Sequence, residues 1–363
     1  MDARKLILKL HLYLGLVSAI FLVILGLTGS VMAFEGQLDH WLHPGRWYVT
    51  VLPQTLPESQ LVQIAEQRFA PDGITAIQIA PEANIAQRIS LAPPPGEQPA
   101  ALARPIEATV NQYDGSILSV HAAPTTTEAT LNFIHQFHLR LVSGEKGQLL
   151  ISFVGLILVF EVPLGVVLWW RTKRASVKWK SSGFRISFDL HHLVGVYFAA
   201  FLFLAAVTGV FIGFDFAQSM FYRVTHSAPN PIRPAASTVI PGAAPVNVDR
   251  VIAAAHQAMP EGLISIVQFP NGPRAVYQVI LRMPGDAWSA VHGLARVDQY
   301  SGKVLTFTDL YASPGYRAIR FNRSLHTGDI FGLPSQIIVS LSSLALVVMV
   351  ITGFIIWWKK LAI

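Results

Sequence analysis

No cysteine occurs among the 363 residues. Disulfides, thiolate metal sites, iron–sulfur clusters and thiol redox chemistry are thereby excluded. Charge is the second scarcity. Only 13% of residues are charged, against 52% hydrophobic. A water-soluble chain of that composition would have too few charged side chains to cover its surface. Nucleotide signals are missing as well. The sequence holds no Walker motif, no Gly-x-Gly-x-x-Gly loop and no serine–histidine–aspartate arrangement, so an internal flavin or NAD site has no support.

What is present is clustered apolarity. Residues 12–34, 149–170, 193–214 and 337–358 are long and nearly uncharged, each with about the ~20 residues that cross hydrocarbon as a helix. The first run is too long for a signal-peptide core and no Ala-x-Ala site follows it, which predicts a retained helix. Arg4, Lys5 and Lys9 precede the first run. Arg171, Lys173, Arg174, Lys178, Lys180 and Arg185 lie between the second and third, and Lys359 and Lys360 follow the fourth. With four spans these segments share one face, and their basic density puts both termini in the cytoplasm. Trp169, Trp170, Trp357 and Trp358 sit where interfacial anchors belong. The formal net charge of +6 is largely topology signal and calls for membrane lipid, not nucleic acid.

Each long polar segment between spans carries the same pattern. In the first, residues 57–69 read as a helix. Short apolar runs follow at 74–79, 88–91 and 106–110, then Asn111-Gln112-Tyr113-Asp114-Gly115 and a last run at 117–120. In the second, a helix over 249–258 precedes runs at 263–269, 275–281 and 294–297, then Asp298-Gln299-Tyr300-Ser301-Gly302 and a run at 304–308. Asp-Gly and Ser-Gly are hairpin-turn signals, so each unit reads as one helix on a small antiparallel sheet. The proline-rich stretches 92–105 and 228–245 read as loops.

The spans repeat too. Leu10-His11-x-x-x-Gly15 and Thr28-Gly29 recur as Leu190-His191-x-x-x-Gly195 and Thr208-Gly209, all at one constant offset along the chain. His138 and the pair Trp169-Trp170 recur as His326 and Trp357-Trp358, at a second, slightly longer constant offset. Two parallel copies of one unit follow, which pack about an axis along the membrane normal. Pseudo-symmetry would bring His11 to His191 near the cytoplasmic face and His138 to His326 near the outer face. Two histidines on facing helices suit the axial positions of a haem iron, though the residues alone leave copper or zinc open. Gly15 and Gly195, one turn beyond their histidines, would leave room for a flat macrocycle.

The Leu-His-x-x-x-Gly openings, the segment Leu325-His326-Thr327-Gly328-Asp329, the Trp-Trp span ends and the Asn/Asp-Gln-Tyr-x-Gly segments together resemble the PepSY-associated transmembrane family. The resemblance covers nearly the whole chain. It implies a mainly α membrane protein: four transmembrane helices in two parallel pseudo-symmetric repeats, with two small extracytoplasmic α+β PepSY-like modules. The expected divisions are spans at 10–34, 147–170, 189–214 and 334–358, modules at 35–126 and 215–315, interfacial segments at 127–146 and 316–333, and a basic loop at 171–188. Some members of the family resemble ferric-siderophore reductases with two b-type haems. The implied function is therefore an oxidoreductase of the bacterial inner membrane that serves iron acquisition. It would take electrons from a cytoplasmic or quinol donor and pass them to a ferric-siderophore outside. His11, His191, His138 and His326 match the histidine pattern, and the doublets formed with His192 and His135 leave the ligand within each open. Arg140, Arg320 and Arg323 are candidates for haem propionates or an anionic chelate. Glu161, inside span two just ahead of Pro163, is a candidate proton or quinol contact, because a carboxylate within a span is costly and faces protein, water or cofactor. Two other classes stay open: a non-enzymatic binding or regulatory protein, since PepSY modules are associated with protease inhibition, and a metal or solute transporter.

Overall fold

A computed structural model describes residues 3–69, 73–92, 106–121, 125–173, 175–230, 232–285 and 291–361. The proline-rich stretch expected as a loop lies, from residue 93 to 105, outside the described residues, as does Arg174. The helices are α1 (Ala3–Met32), α2 (Glu35–Leu42), α3 (Pro44–Trp47), α4 (Glu58–Phe69), α5 (Thr126–Arg140), α6 (Gly144–Trp170), α7 (Gly183–Gly213), α8 (Asp215–Val224), α9 (Val248–Ala258), α10 (Pro314–Thr327) and α11 (Leu333–Leu361). The strands are β1 (Ile74–Gln78), β2 (Gln87–Leu91), β3 (Ile106–Val110), β4 (Ile117–His121), β5 (Leu263–Gln268), β6 (Val276–Arg282), β7 (Gly293–Asp298) and β8 (Val304–Asp309). The chain is a mainly α multi-pass membrane protein with four long apolar helices and two sheet-containing extracytoplasmic regions.

It divides into a helical unit, Met1–Glu35, Thr130–His226 and Arg317–Ile363, and a sheet unit, Gly36–Ala129 and Ser227–Tyr316. In the helical unit, α1, α6, α7 and α11 are long and apolar enough to cross a membrane. Their outward residues are apolar, such as Val17, Ile20, Phe160, Tyr197 and Ile351, the reverse of a helix surface meant for water. Inside, Leu22, Val154, Leu158, Leu202, Ala206 and Leu346 form the packed centre. Small hydroxyl residues fill the closer contacts. Ser18, Thr28, Ser152, Thr208, Ser342 and Thr352 are buried and each donates to the carbonyl four residues back in its own helix, so no hydroxyl proton is stranded in hydrocarbon. Gly26 sets the approach of α1 to α11: a Cβ there would stand 2.7 Å from the Ser343 carbonyl oxygen.

In the sheet unit, each region contributes a four-stranded antiparallel meander with one helix, α4 or α9, packed on it. The two meanders share one eight-stranded sheet, in the order β4-β3-β2-β1-β5-β6-β7-β8. The join is antiparallel β1–β5, with Ala76 opposite Gln268, Ile77 opposite Val267 and Gln78 opposite Ile266. Strand alternation sends Ile77, Ile89, Val267, Val279 and Ala295 to the face carrying Leu61, Val62 and Ala65 of α4 and Val251 and Ala255 of α9, in one continuous core. The two helices also meet at their starts, where Ser59 donates from its amide and hydroxyl to the Asp249 carboxylate.

Candidate functional site

The four histidines singled out by the repeat each sit against a glycine of another helix. The nearest ring atom lies 3.0 Å from the position of an added Cβ at Gly165 for His11, 3.2 Å at Gly353 for His191, 3.2 Å at Gly29 for His138 and 3.1 Å at Gly209 for His326. A side chain larger than hydrogen would displace the ring. Threonines complete three of the seats. His138 Nδ1 lies 2.8 Å from Thr28 Oγ1, His326 Nδ1 2.9 Å from Thr208 Oγ1 and His191 Nδ1 3.0 Å from Thr352 Oγ1. Each threonine proton already goes to a backbone carbonyl, so the hydroxyl oxygen accepts and the imidazole Nδ1–H donates. That leaves a lone pair on Nε2 of each of the three rings.

The fourth seat differs. Where Thr352-Gly353 stands in one repeat, Leu164-Gly165 stands in the other. Without a threonine, His11 Nδ1 faces Glu161 Oε1 at 3.1 Å and the Glu161 carbonyl at 3.3 Å. Glu161 itself corresponds to Met349, by the same offset that relates His138 to His326. The carboxylate lies 2.9 Å from where a Cβ on Gly15 would stand, and the Met349 methyl lies 2.9 Å from the same place on Gly195. Glu161 Oε2 is buried with no hydrogen-bond partner.

The rings of His11 and His191 are 6.2 Å apart, edge to face. Burial pushes the His138 imidazole down to about 3, helped by nearby His326 and His135, and pushes His326 down to about 4. Both are neutral at ordinary pH. The second members of the doublets have other partners. His192 Nδ1 lies 2.8 Å from the Phe188 carbonyl of its own helix, and His135 Nδ1 lies 2.7 Å from Glu35 Oε2. Arg140 ends α5 and Arg323 lies on the exposed side of α10, while Arg320 is half-buried. Asn322, which the sequence did not single out, is buried and donates to the Thr208 carbonyl at 3.1 Å.

The whole arrangement repeats along one continuous stretch of chain, and a family model described as the PepSY-associated TM region matches residues 8–360. The chain belongs to the PepSY-associated transmembrane family. No curated protein matches it.

Membership in this family does not carry the chemistry first expected at the histidines, and that expectation is corrected. Among the described residues, no group of three or more His, Cys, Asp or Glu side chains is placed to hold a metal ion. Two haem b groups with His11 and His191, or His138 and His326, as axial ligands, and His192 or His135 as alternatives, therefore have no metal-holding cluster behind them. The oxidoreductase activity, the ferric-siderophore reduction and the iron-linked role built on those haems are not retained. The space over Gly15 and Gly195, expected to clear a macrocycle, is taken by Glu161 and Met349.

The PepSY-like motifs are structural. Gln112 Nε2 donates to the Ala83 and Ile85 carbonyls at 2.9 and 3.0 Å, and Tyr113 Oη donates to Ala83 at 2.9 Å. Gln299 Nε2 reaches the Gly272, Pro273 and Ala275 carbonyls, and Tyr300 Oη reaches Pro273 at 3.0 Å. In each module the motif therefore clamps the loop joining the first two strands. Gly115 closes its turn at φ 75°, where a side chain would be strained.

Proposed function

We propose that this is a non-enzymatic binding or regulatory protein of the bacterial inner membrane, with both termini in the cytoplasm and the composite sheet outside. The termini follow the basic segments, and the site of action follows the sheet. The observation that carries the reading is a single polar row across all eight strands on the face opposite α4 and α9. Register places His121, Glu107, Ser90, Ala76, Gln268, Gln278, Arg296 and Thr306 side by side, and none is fully buried. All but Ala76 offer hydrogen-bonding groups at the ~4.8 Å strand spacing, a surface suited to a protein partner that lies across the sheet.

The test places photoreactive side chains at Gln268 and Gln278 in the full-length protein in its native membranes, with lipid-facing Val17 as control. A discrete protein adduct at the sheet positions and none at Val17 is expected. No position-specific adduct, or a stoichiometric haem absorbance band in the purified protein, would overturn the reading.

A further inference from the structure

Helix α8 has three faces where an ordinary surface helix has two. At 100° per residue, Ala217, Phe221 and Thr225 point one way. Ala217 is buried and the Phe221 ring packs on Phe211 of α7 at 4.8 Å, so this face meets the protein. Phe216, Met220 and Val224 form the next stripe, spaced by four residues, and are 65%, 43% and 73% exposed. Asp215, Ser219 and Arg223 form the third stripe and are also exposed. One apolar sector is satisfied by the chain, a second is not, and a polar sector separates them on the far side.

Position says what covers the second sector. α8 starts two residues after span α7 ends at Gly213, and Phe214 serves as C-cap of one and N-cap of the other in extended conformation (φ −112°, ψ 123°). The turn therefore falls where the span leaves hydrocarbon. Aromatic rings continue the lipid-facing surface of the spans onto the helix: Phe153 of α6, half exposed, meets Phe214 at 5.5 Å, and Phe214 meets Phe216 at 5.3 Å. An apolar stripe beside a polar one, continuous with a bilayer-facing surface, is the pattern of a helix lying in the membrane interface. Arg223 borders the stripe, with its stem along apolar surface and its head free to turn outward.

We propose that α8 is an interfacial anchor. Phe216, Met220 and Val224 enter the acyl boundary of the leaflet on the side of the sheet regions, and Arg223 faces the lipid phosphates. The anchor fixes the point at which the chain leaves span α7 for the second module.

The absence of native cysteine makes the test direct. Single spin labels are placed through Phe216→Cys, Met220→Cys, Val224→Cys, Asp215→Cys, Ser219→Cys and Arg223→Cys in the full chain, reconstituted in vesicles of phosphatidylethanolamine and phosphatidylglycerol. Collisions with oxygen should dominate at 216, 220 and 224. Collisions with a water-soluble nickel chelate should dominate at 215, 219 and 223. Chelate-dominated relaxation at all six positions would overturn the proposal, as would low values of both at 216, 220 and 224, which mean that a second copy or another protein covers the stripe. Met220→Trp with quenching by brominated acyl chains gives an independent reading: strong quenching is expected, and none would overturn the assignment.

Discussion

At the scale of single residues, Glu58 is a carboxyl outside the spans whose environment changes its chemistry strongly. Burial pushes its carboxyl up to about 7, and neighbouring Asp249 adds to this while Gln87 opposes it. Gln87 Nε2 donates to Oε1 at 2.9 Å, which favours the carboxylate, while Oε2 is buried without a partner, which favours the neutral acid. Between pH 4.5 and 7 the folded chain then holds more protons than the unfolded one. Stability from this group is full below 4.5 and is lost as pH rises through 7, with an amplitude on the order of 2 kcal/mol after allowing for partial exposure. Thermal unfolding of the sheet unit against pH should show that decline, and Glu58→Gln should flatten it. The Arg46–Glu128 pair is a second residue-scale test. Its atoms are 2.6 Å apart and both side chains are nearly buried. Glu128 also caps α5 through a reciprocal bond with Thr125. Glu128→Gln removes the nearer counter-charge and leaves the buried guanidinium the Asp39 carboxylate at 3.9 Å, which should cost about 3 kcal/mol, read as a lowered melting temperature. A change under about 0.5 kcal/mol would show the pair to be dispensable. Neither Glu58 nor Arg46 stood out in the sequence, because burial and partner identity are tertiary properties and no short motif encodes them.

Among elements, the spans are held by close approach as much as by apolar contact. Gly26 brings α1 against α11, and its added Cβ would lie 2.7 Å from both the Ser343 carbonyl oxygen and Val347 Cγ2. A backbone carbonyl cannot turn aside as a flexible side chain can. Gly26→Leu should therefore separate the two helices and destabilise the bundle by about 1–3 kcal/mol, measurable as earlier unfolding in detergent. The matching control is Gly36→Leu, where the added Cβ meets nothing within 4 Å; equal losses at the two positions would refute the packing account. Elements were the scale at which the sequence was most legible. Apolar length marked the spans, and the alternation of short runs marked the strands of both modules. The helices it missed include α2 and α3 at the start of the first polar segment and α8 at the start of the second; α8 shows why. Two of its three faces carry apolar residues, so the simple two-sided periodicity of a surface helix is absent.

For the molecule as a whole, the decisive feature is that two modules remote in sequence complete one sheet. Val267 lies fully buried at the join, opposite Ile77 of β1 on one side and Val279 of β6 on the other. Val267→Pro removes a ladder donor and places a ring in a central strand, at a cost of about 3 kcal/mol or more. Hydrogen exchange should then accelerate in β1–β3 as well as in β5–β7. Faster exchange confined to the second module would mean that the two halves fold independently and that the polar row is not one surface.

Apolar length, composition and spacing along the chain were enough to establish the membrane class, the four spans, the twofold internal repeat and the family, since none of these needs to know which surfaces meet. The four histidines were named in the same way, because a repeat at constant offset is visible without coordinates. What those histidines do was not legible there. Their seats on Gly29, Gly165, Gly209 and Gly353, the threonine hydroxyls that orient three of them, and the approach of Glu161 to His11 at the fourth, where Leu164 replaces the threonine, depend on which helix faces meet. The same holds for Gly15 and Gly195, whose open side is filled by Glu161 and Met349 from neighbouring spans. The shared sheet through β1 and β5 likewise came from the folded arrangement. Pairing between strands so remote along the chain is set by which edges each meander leaves unpaired, and by a helix layer that covers both at once.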